Sequence, residues 1–99
     1  MSYIKPELAI SPKSRLKNLE VIHDGGQNKC DNKNWSMAKM EWDRKDRIGL
    51  RWNGDDEDPA GNPKSHGHAT WFILPDLGEL AEVIQECLKG NIVMKKQLP

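Results

Sequence analysis

Three histidines, His23, His66 and His68, and two cysteines, Cys30 and Cys87, are the side chains here that could ligate a transition metal or act as nucleophiles. Their spacing favours neither role. His66-Gly67-His68 is not a ligand motif, and chance proximity in a polar stretch accounts for it. Neither cysteine belongs to a CxxC pair, so no redox motif or zinc knot is indicated. Cys87 falls on an apolar helical stripe, the ordinary place for a small buried hydrophobe, and Cys30 has no Gly-rich or helix-terminal context to lower its pKa. Asp55, Asp56, Glu57 and Asp58 lack the alternating order and distal Glu of a calcium loop, and no Gly-rich run ends in Lys and Ser or Thr to cradle phosphate. The expectation is no enzyme, no metal and no cofactor.

Binding chemistry is what remains. Trp35, Lys39, Arg47 and Arg51 are expected to project from one face of neighbouring antiparallel strands, with the cations placed for phosphates and the indole for base stacking. That combination holds single-stranded nucleic acid without reading its sequence, each stacked base contributing about 1 to 3 kcal/mol. The plainer reading is that Lys and Arg are the usual occupants of solvent-facing strand positions, that Glu20 and Glu41 share the face, and that the four tryptophans are core or interface residues. The chain's 15 basic and 15 acidic residues cancel, which removes the footprint of a typical nucleic-acid-binding domain. A basic face survives only if the carboxylates gather elsewhere, as they do at residues 55–58.

The elements that would position these side chains follow from periodicity. Residues 18–24 alternate, with Leu19, Val21 and His23 against Asn18, Glu20 and Ile22, and stop at Gly25-Gly26. Residues 27–34 are polar and favour turns. Residues 35–43 set Ala38, Met40 and Trp42 against Trp35, Met37, Lys39 and Glu41; residues 47–53 set Ile48, Leu50 and Trp52 against Arg47, Gly49 and Arg51. The charged connection 43–46 suits a hairpin built on a type I turn. Residues 53–67, rich in Gly, Pro, Asn and Asp, read as a long flexible loop with almost nothing to bury. Residues 68–74 read as a fourth strand, apolar on both faces, which belongs in a sheet centre or at a subunit interface. Asp76 then caps a helix over residues 76–89, with Glu79 in capping-box position. Its stripe of Leu77, Leu80, Ala81, Ile84, Cys87 and Leu88 ends at Gly90 and is able to cover one sheet face.

A chain of 99 residues supports one core. With 36% hydrophobic and 30% charged residues it is polar for its size, and an association burying further apolar surface would help its stability. The expected organisation is an N-terminal arm (1–17), a single domain (18–90) and a tail (91–99) in which Ile92, Val93 and Met94 precede Lys95-Lys96. No apolar leader or membrane-length run is present, so the expectation is a cytoplasmic protein without a membrane partner.

The apolar strand 69–74 running directly into a capped helix over 76–89, after a hairpin carrying Arg51-Trp52, resembles the positive cofactor four family of transcriptional coactivators and their bacterial relatives. The resemblance covers residues 19–90. It implies a homodimer formed through the helices and last strands, with single-stranded DNA or RNA across the sheets, and it assigns Lys39, Arg47 and Arg51 to phosphates and Trp35 to stacking. The sequence thus predicts an α+β fold, a four-stranded antiparallel sheet followed by one C-terminal amphipathic helix, assembled as a homodimer. The function expected first is non-catalytic single-stranded nucleic-acid binding, as an accessory of transcription or replication. The alternatives are a protein-interaction module acting through the acidic loop or the Trp-bearing face, and small-molecule binding in a Trp-lined cavity.

Overall fold

The sheet is built from one long hairpin flanked by two weaker partners. The computed structural model describes residues 3–27 and 30–90, so the expectations for the tail 91–99 lie outside the described residues. Strands β2 (Trp35–Trp42) and β3 (Lys45–Trp52) are joined by Asp43-Arg44 alone, with φ of 53° and 71°. Two positive φ values in a two-residue loop make a type I′ turn, whose twist matches that of the strands. This turn is tighter than the expected four-residue type I connection. Arg15 holds it from outside, donating Nε and Nη2 to the Asp43 carboxylate at 2.8 and 2.5 Å.

Strand β1 (Leu16–Asp24) pairs with β2 through two register shifts, one of them around Asn18 at φ 54°. Each bulge turns the following residues over. Val21 therefore pairs with Ala38 and His23 with Met37, so the two do not share the face that simple alternation assigned them. The expected fourth strand is divided. Strands β4 (Lys64–Ser65) and β5 (His68–Ala69) form their own small ladder, and β6 (Phe72–Ile73) pairs with β3 through Gly49–Ile73 and Leu50–Phe72. The main sheet is antiparallel in the order β1-β2-β3-β6, which makes β6 an edge and not a centre.

One face of this sheet, the inner face, is covered, and not by the helix. Ala38, Met40 and Leu16 pack against Ala9, Ala60, Ala69 and Trp71, with Ile4 and Ile73 at the margin. The N-terminal segment thus contributes to the core: Ile4 N donates to Pro59 O at 2.8 Å, and Trp71 Nε1 donates to Ala9 O at 2.7 Å. Residues 53–62 are folded where a flexible loop was expected. Trp52 and Asn62 exchange backbone hydrogen bonds at 2.8 and 3.1 Å, and Ala60 and Gly61 are buried. Gly49 makes the closest packing possible, because a Cβ there would lie 2.7 Å from Met40 Cε and 2.9 Å from Trp71 Cβ.

Helix α1 (Leu77–Leu88) begins where the sequence places it, with the Asp76 carboxylate accepting from Glu79 N at 3.0 Å, and it ends before Gly90 at φ 83°. Its apolar stripe forms but stays uncovered, since none of its residues is buried and Leu88 is 80% exposed. The cover the helix was expected to provide comes instead from the N-terminal segment and the 59–71 region. Among the described residues no helix is long and apolar enough to cross a membrane.

Candidate interaction surface

Pairing across the hairpin decides which side chains meet. Directly opposed residues of antiparallel strands share a face. Trp35 lies opposite Trp52, Met37 opposite Leu50 and Lys39 opposite Ile48, while Ser36 lies opposite Arg51, Ala38 opposite Gly49 and Met40 opposite Arg47. The four residues expected to form one cationic, indole-bearing face are therefore divided. Trp35 and Lys39 occupy the outer face; Arg47 and Arg51 point to the inner one.

Arg51 is the larger departure, for it is only 2% exposed. Its guanidinium donates to the carbonyls of Thr70, Ala60 and Pro63 and lies 5.8 Å from the centre of the Trp71 ring. Burial pushes its pKa down to about 10, which leaves it protonated at neutral pH. The covering segment is mostly loop, and its inward carbonyls need donors that no strand supplies. One guanidinium meets three of them. Arg51 thus holds the 60–70 region onto the sheet, and its charge does not reach solvent.

On the outer face, Trp35, Met37, Leu50, Trp52 and Phe72 line a shallow groove of about 410 Å³. Trp52 and Phe72 are 43% and 54% exposed, large values for aromatic side chains. The groove is held from one end. Trp35 packs on His23 with ring centres 4.3 Å apart. Behind it Ser36 Oγ donates to Asn53 Oδ1 at 2.8 Å, and Asn53 Nδ2 donates to Gly26 O at 2.8 Å and Asp24 Oδ1 at 3.2 Å. These bonds tie the ends of β1, β2 and β3 together. Tyr3 closes the cluster through Asp24, its phenol pKa raised by burial and then by the Asp24 charge.

The other end of the outer face is charged. Lys17 and Lys39 stand with Glu20, Glu41 and Asp46, two cations against three carboxylates. Lys39 Nζ lies 3.9 Å from Glu20, and Asn18 Nδ2 donates to Glu41 at 2.7 Å. Beyond the groove a second, polar recess of about 310 Å³ is lined by Asn32, Asn34, Asn53, Asp55, Asp58 and Asn62, and Trp52 forms a wall of both.

Sequence reasoning assigned Trp35 and missed Met37, Leu50, Trp52 and Phe72 as its companions. The signal was present as parity: a hairpin loop with an even number of residues puts Trp35 on the same face as Trp52, directly opposite it for two loop residues and displaced by two for four, and never on Arg51's face. No group of three or more metal-ligating side chains converges among the described residues. Comparison of the chain with protein-family models, with curated proteins and with solved structures gives no match.

Proposed function

We propose that this chain is a non-catalytic protein-interaction module whose binding surface is the aromatic groove of the outer sheet face. The observation that carries the reading is that Trp35, Met37, Leu50, Trp52 and Phe72 gather in a groove that no residue of α1 or of the N-terminal segment lines. Burying the exposed halves of Trp52 and Phe72 removes roughly 100 Å² each from water, or about 2.5 kcal/mol apiece as an upper figure. Nucleic acid is the weaker reading. A polyanion approaching the outer face meets more carboxylate than lysine, and Arg51, expected to contact phosphate, is enclosed by carbonyls.

A second observation favours a second copy of the chain as one partner. Leu77, Ile84 and Leu88 of α1 are at least half exposed or close to it, a stripe that dimerisation through the helices would cover.

The test compares the wild type with a Trp52→Ser/Phe72→Ser variant, whose urea midpoint is expected to stay near the wild-type value because both side chains are exposed. Affinity capture quantified by mass spectrometry is run beside anisotropy titration with a single-stranded oligonucleotide at low and high salt. Loss of captured proteins by the variant, with no salt-dependent oligonucleotide binding, supports the reading. Salt-dependent oligonucleotide binding that the variant keeps overturns it.

A further inference from the structure

The aromatic groove does not stand alone. Its outer wall, Trp52, is also the inner wall of the recess bounded by Asn32, Asn34, Asn53, Asp55, Asp58 and Asn62. The two depressions share Trp52 as a lining residue and differ in chemistry. On the groove side the lining is Met, Leu, Phe and Trp, together with Arg51. On the recess side it is amide and carboxylate, and the turn at its rim carries Asp55, Asp56, Glu57 and Asp58 in succession.

From this juxtaposition we infer that the partner is a protein segment presenting apolar side chains followed, within two or three residues, by lysine or arginine. The inference rests on the proposed function and names the chemistry of its partner. An indole is a good neighbour for a cation, which its ring face attracts within about 6 Å. Carboxylates and amide oxygens around it accept the donors that an ammonium or guanidinium brings. An extended chain advances about 3.4 Å per residue, so two or three residues carry it from one side of Trp52 to the other. The rim is already used once in this sense: Lys64 Nζ donates to Asp58 Oδ2 at 2.8 Å. Asp56 and Glu57, the next carboxylates of the rim, are exposed to a partner. The turn is also rigid enough to present them. Asp55 Oδ1 accepts from Glu57 N and Asp58 N at 2.9 and 2.8 Å, and Asp55 N donates to Asp58 O at 3.1 Å.

An acidic segment is repelled by this rim, and a purely apolar one leaves the recess unused. A flat cationic small molecule would occupy the recess without the groove. The pairing of both depressions through one side chain selects a chain long enough to reach each.

The experiment pans a phage-displayed library of random hexapeptides against the full chain at low salt, with the Trp52→Ser/Phe72→Ser variant as counter-selection. Enrichment of sequences with two or more apolar residues followed by Lys or Arg is expected, and it should vanish with the variant. One enriched peptide is then synthesised with a fluorophore and titrated by anisotropy. Its Lys/Arg→Gln version should bind about tenfold more weakly at low salt, and the Asp56→Asn/Glu57→Gln protein should lose a similar factor for the charged peptide alone. Enrichment of apolar peptides without cations, or equal binding of the neutral peptide, overturns the inference and leaves the groove as the interaction surface. No enrichment, or enrichment that the Trp52→Ser/Phe72→Ser variant retains, overturns the inference and the groove together.

Discussion

Replacing Arg51 by Ala tests whether this residue is a structural pin. The carbonyls of Thr70 and Ala60 lose this donor, while that of Pro63 keeps the one from Thr70 N. Hydrogen bonds to a charged group contribute about 1.5 to 3 kcal/mol each, and a buried carbonyl left unpaired costs about 1 to 3. The two bonds to Thr70 and Ala60 amount to roughly 5 kcal/mol, to which the cavity left by the aliphatic stem beside Trp71 adds about 1. Against this stands the relief of not burying the charge. The guanidinium pKa falls from 12.5 to about 10 through desolvation, which corresponds to about 3 kcal/mol. The net expectation is a loss of about 3 kcal/mol, a large part of the stability of a domain this size. Arg51→Lys should lose about 2, because an ammonium on one stem does not span acceptors on Ala60 and Thr70 as a planar fork does. Urea unfolding followed by tryptophan fluorescence measures both, with Lys39→Ala as a control expected to stay within about 0.5 kcal/mol. If Arg51→Ala costs less than about 1 kcal/mol, the guanidinium does not hold the 60–70 region and the argument that it is unavailable to a ligand fails with it.

Gly49→Ala should cost about 1 to 3 kcal/mol by urea midpoint, because the added methyl meets Met40 Cε and the Trp71 Cβ at 2.7 and 2.9 Å; an unchanged midpoint would show that the two layers sit further apart. Asp43→Asn keeps a residue that tolerates the positive φ of the turn and removes the ion pair with Arg15. The Arg15 hydrogen bond holds the Asp43 carboxyl below its usual value of 3.8, so the pair's contribution is present above pH 3.8 and fades as the pH falls through the lower folded-state value. The stability gap between wild type and Asp43→Asn should accordingly be constant at neutral pH and narrow in acid, and a gap that does not narrow at all as the pH falls below 3.8 would contradict the assignment. For α1, light scattering at micromolar concentration should give about twice the 11.3 kDa chain mass, and Ile84→Glu/Leu88→Glu should return it to one. A wild-type mass of one chain rules out the second copy as partner.

Much of the fold is legible because its strongest elements are local. Asp76, Glu79 and Gly90 mark the helix by chemistry within a few residues, and the alternation on either side of Asp43-Arg44 marks the hairpin. What is not legible is long-range. Arg47 and Arg51 read as outward because they are charged, yet the even-membered turn pairs them with Met40 and Ser36, and register outranks polarity once a guanidinium finds carbonyls to satisfy. The cover of the inner face is built from Ala9, Ala60 and Trp71, which lie in non-repeating segments that carry no period to detect. Strand 68–74 reads as one piece because nothing local says that Thr70 and Trp71 leave the ladder. The groove suffers the same way: Trp35 comes from one strand and Phe72 from the far edge, and only the sheet order β2-β3-β6 joins them.

The division of labour between the two sheet faces explains why the helix is left over. A sheet with apolar residues on both faces needs two covers, and the described residues offer two: α1, and the N-terminal segment together with residues 59–71. The second takes the inner face and is bound there by specific contacts, the Trp71 indole on Ala9 O and the Arg51 fork on the 60–70 carbonyls. The outer face offers no such directional partners at its groove end, only Trp52, Phe72, Leu50 and Met37, and its other end is charged. A helix docked across it would bury Lys39, Glu20 and Glu41 along with the apolar residues, at a desolvation cost that exposed ion pairs do not repay. A shorter extended segment, laid only on the groove end, avoids that cost. The first turn of α1 reaches only the charged end, where Leu77 lines a depression with Lys39, Glu41 and Ile48, and the groove end is left to a narrow, separate partner.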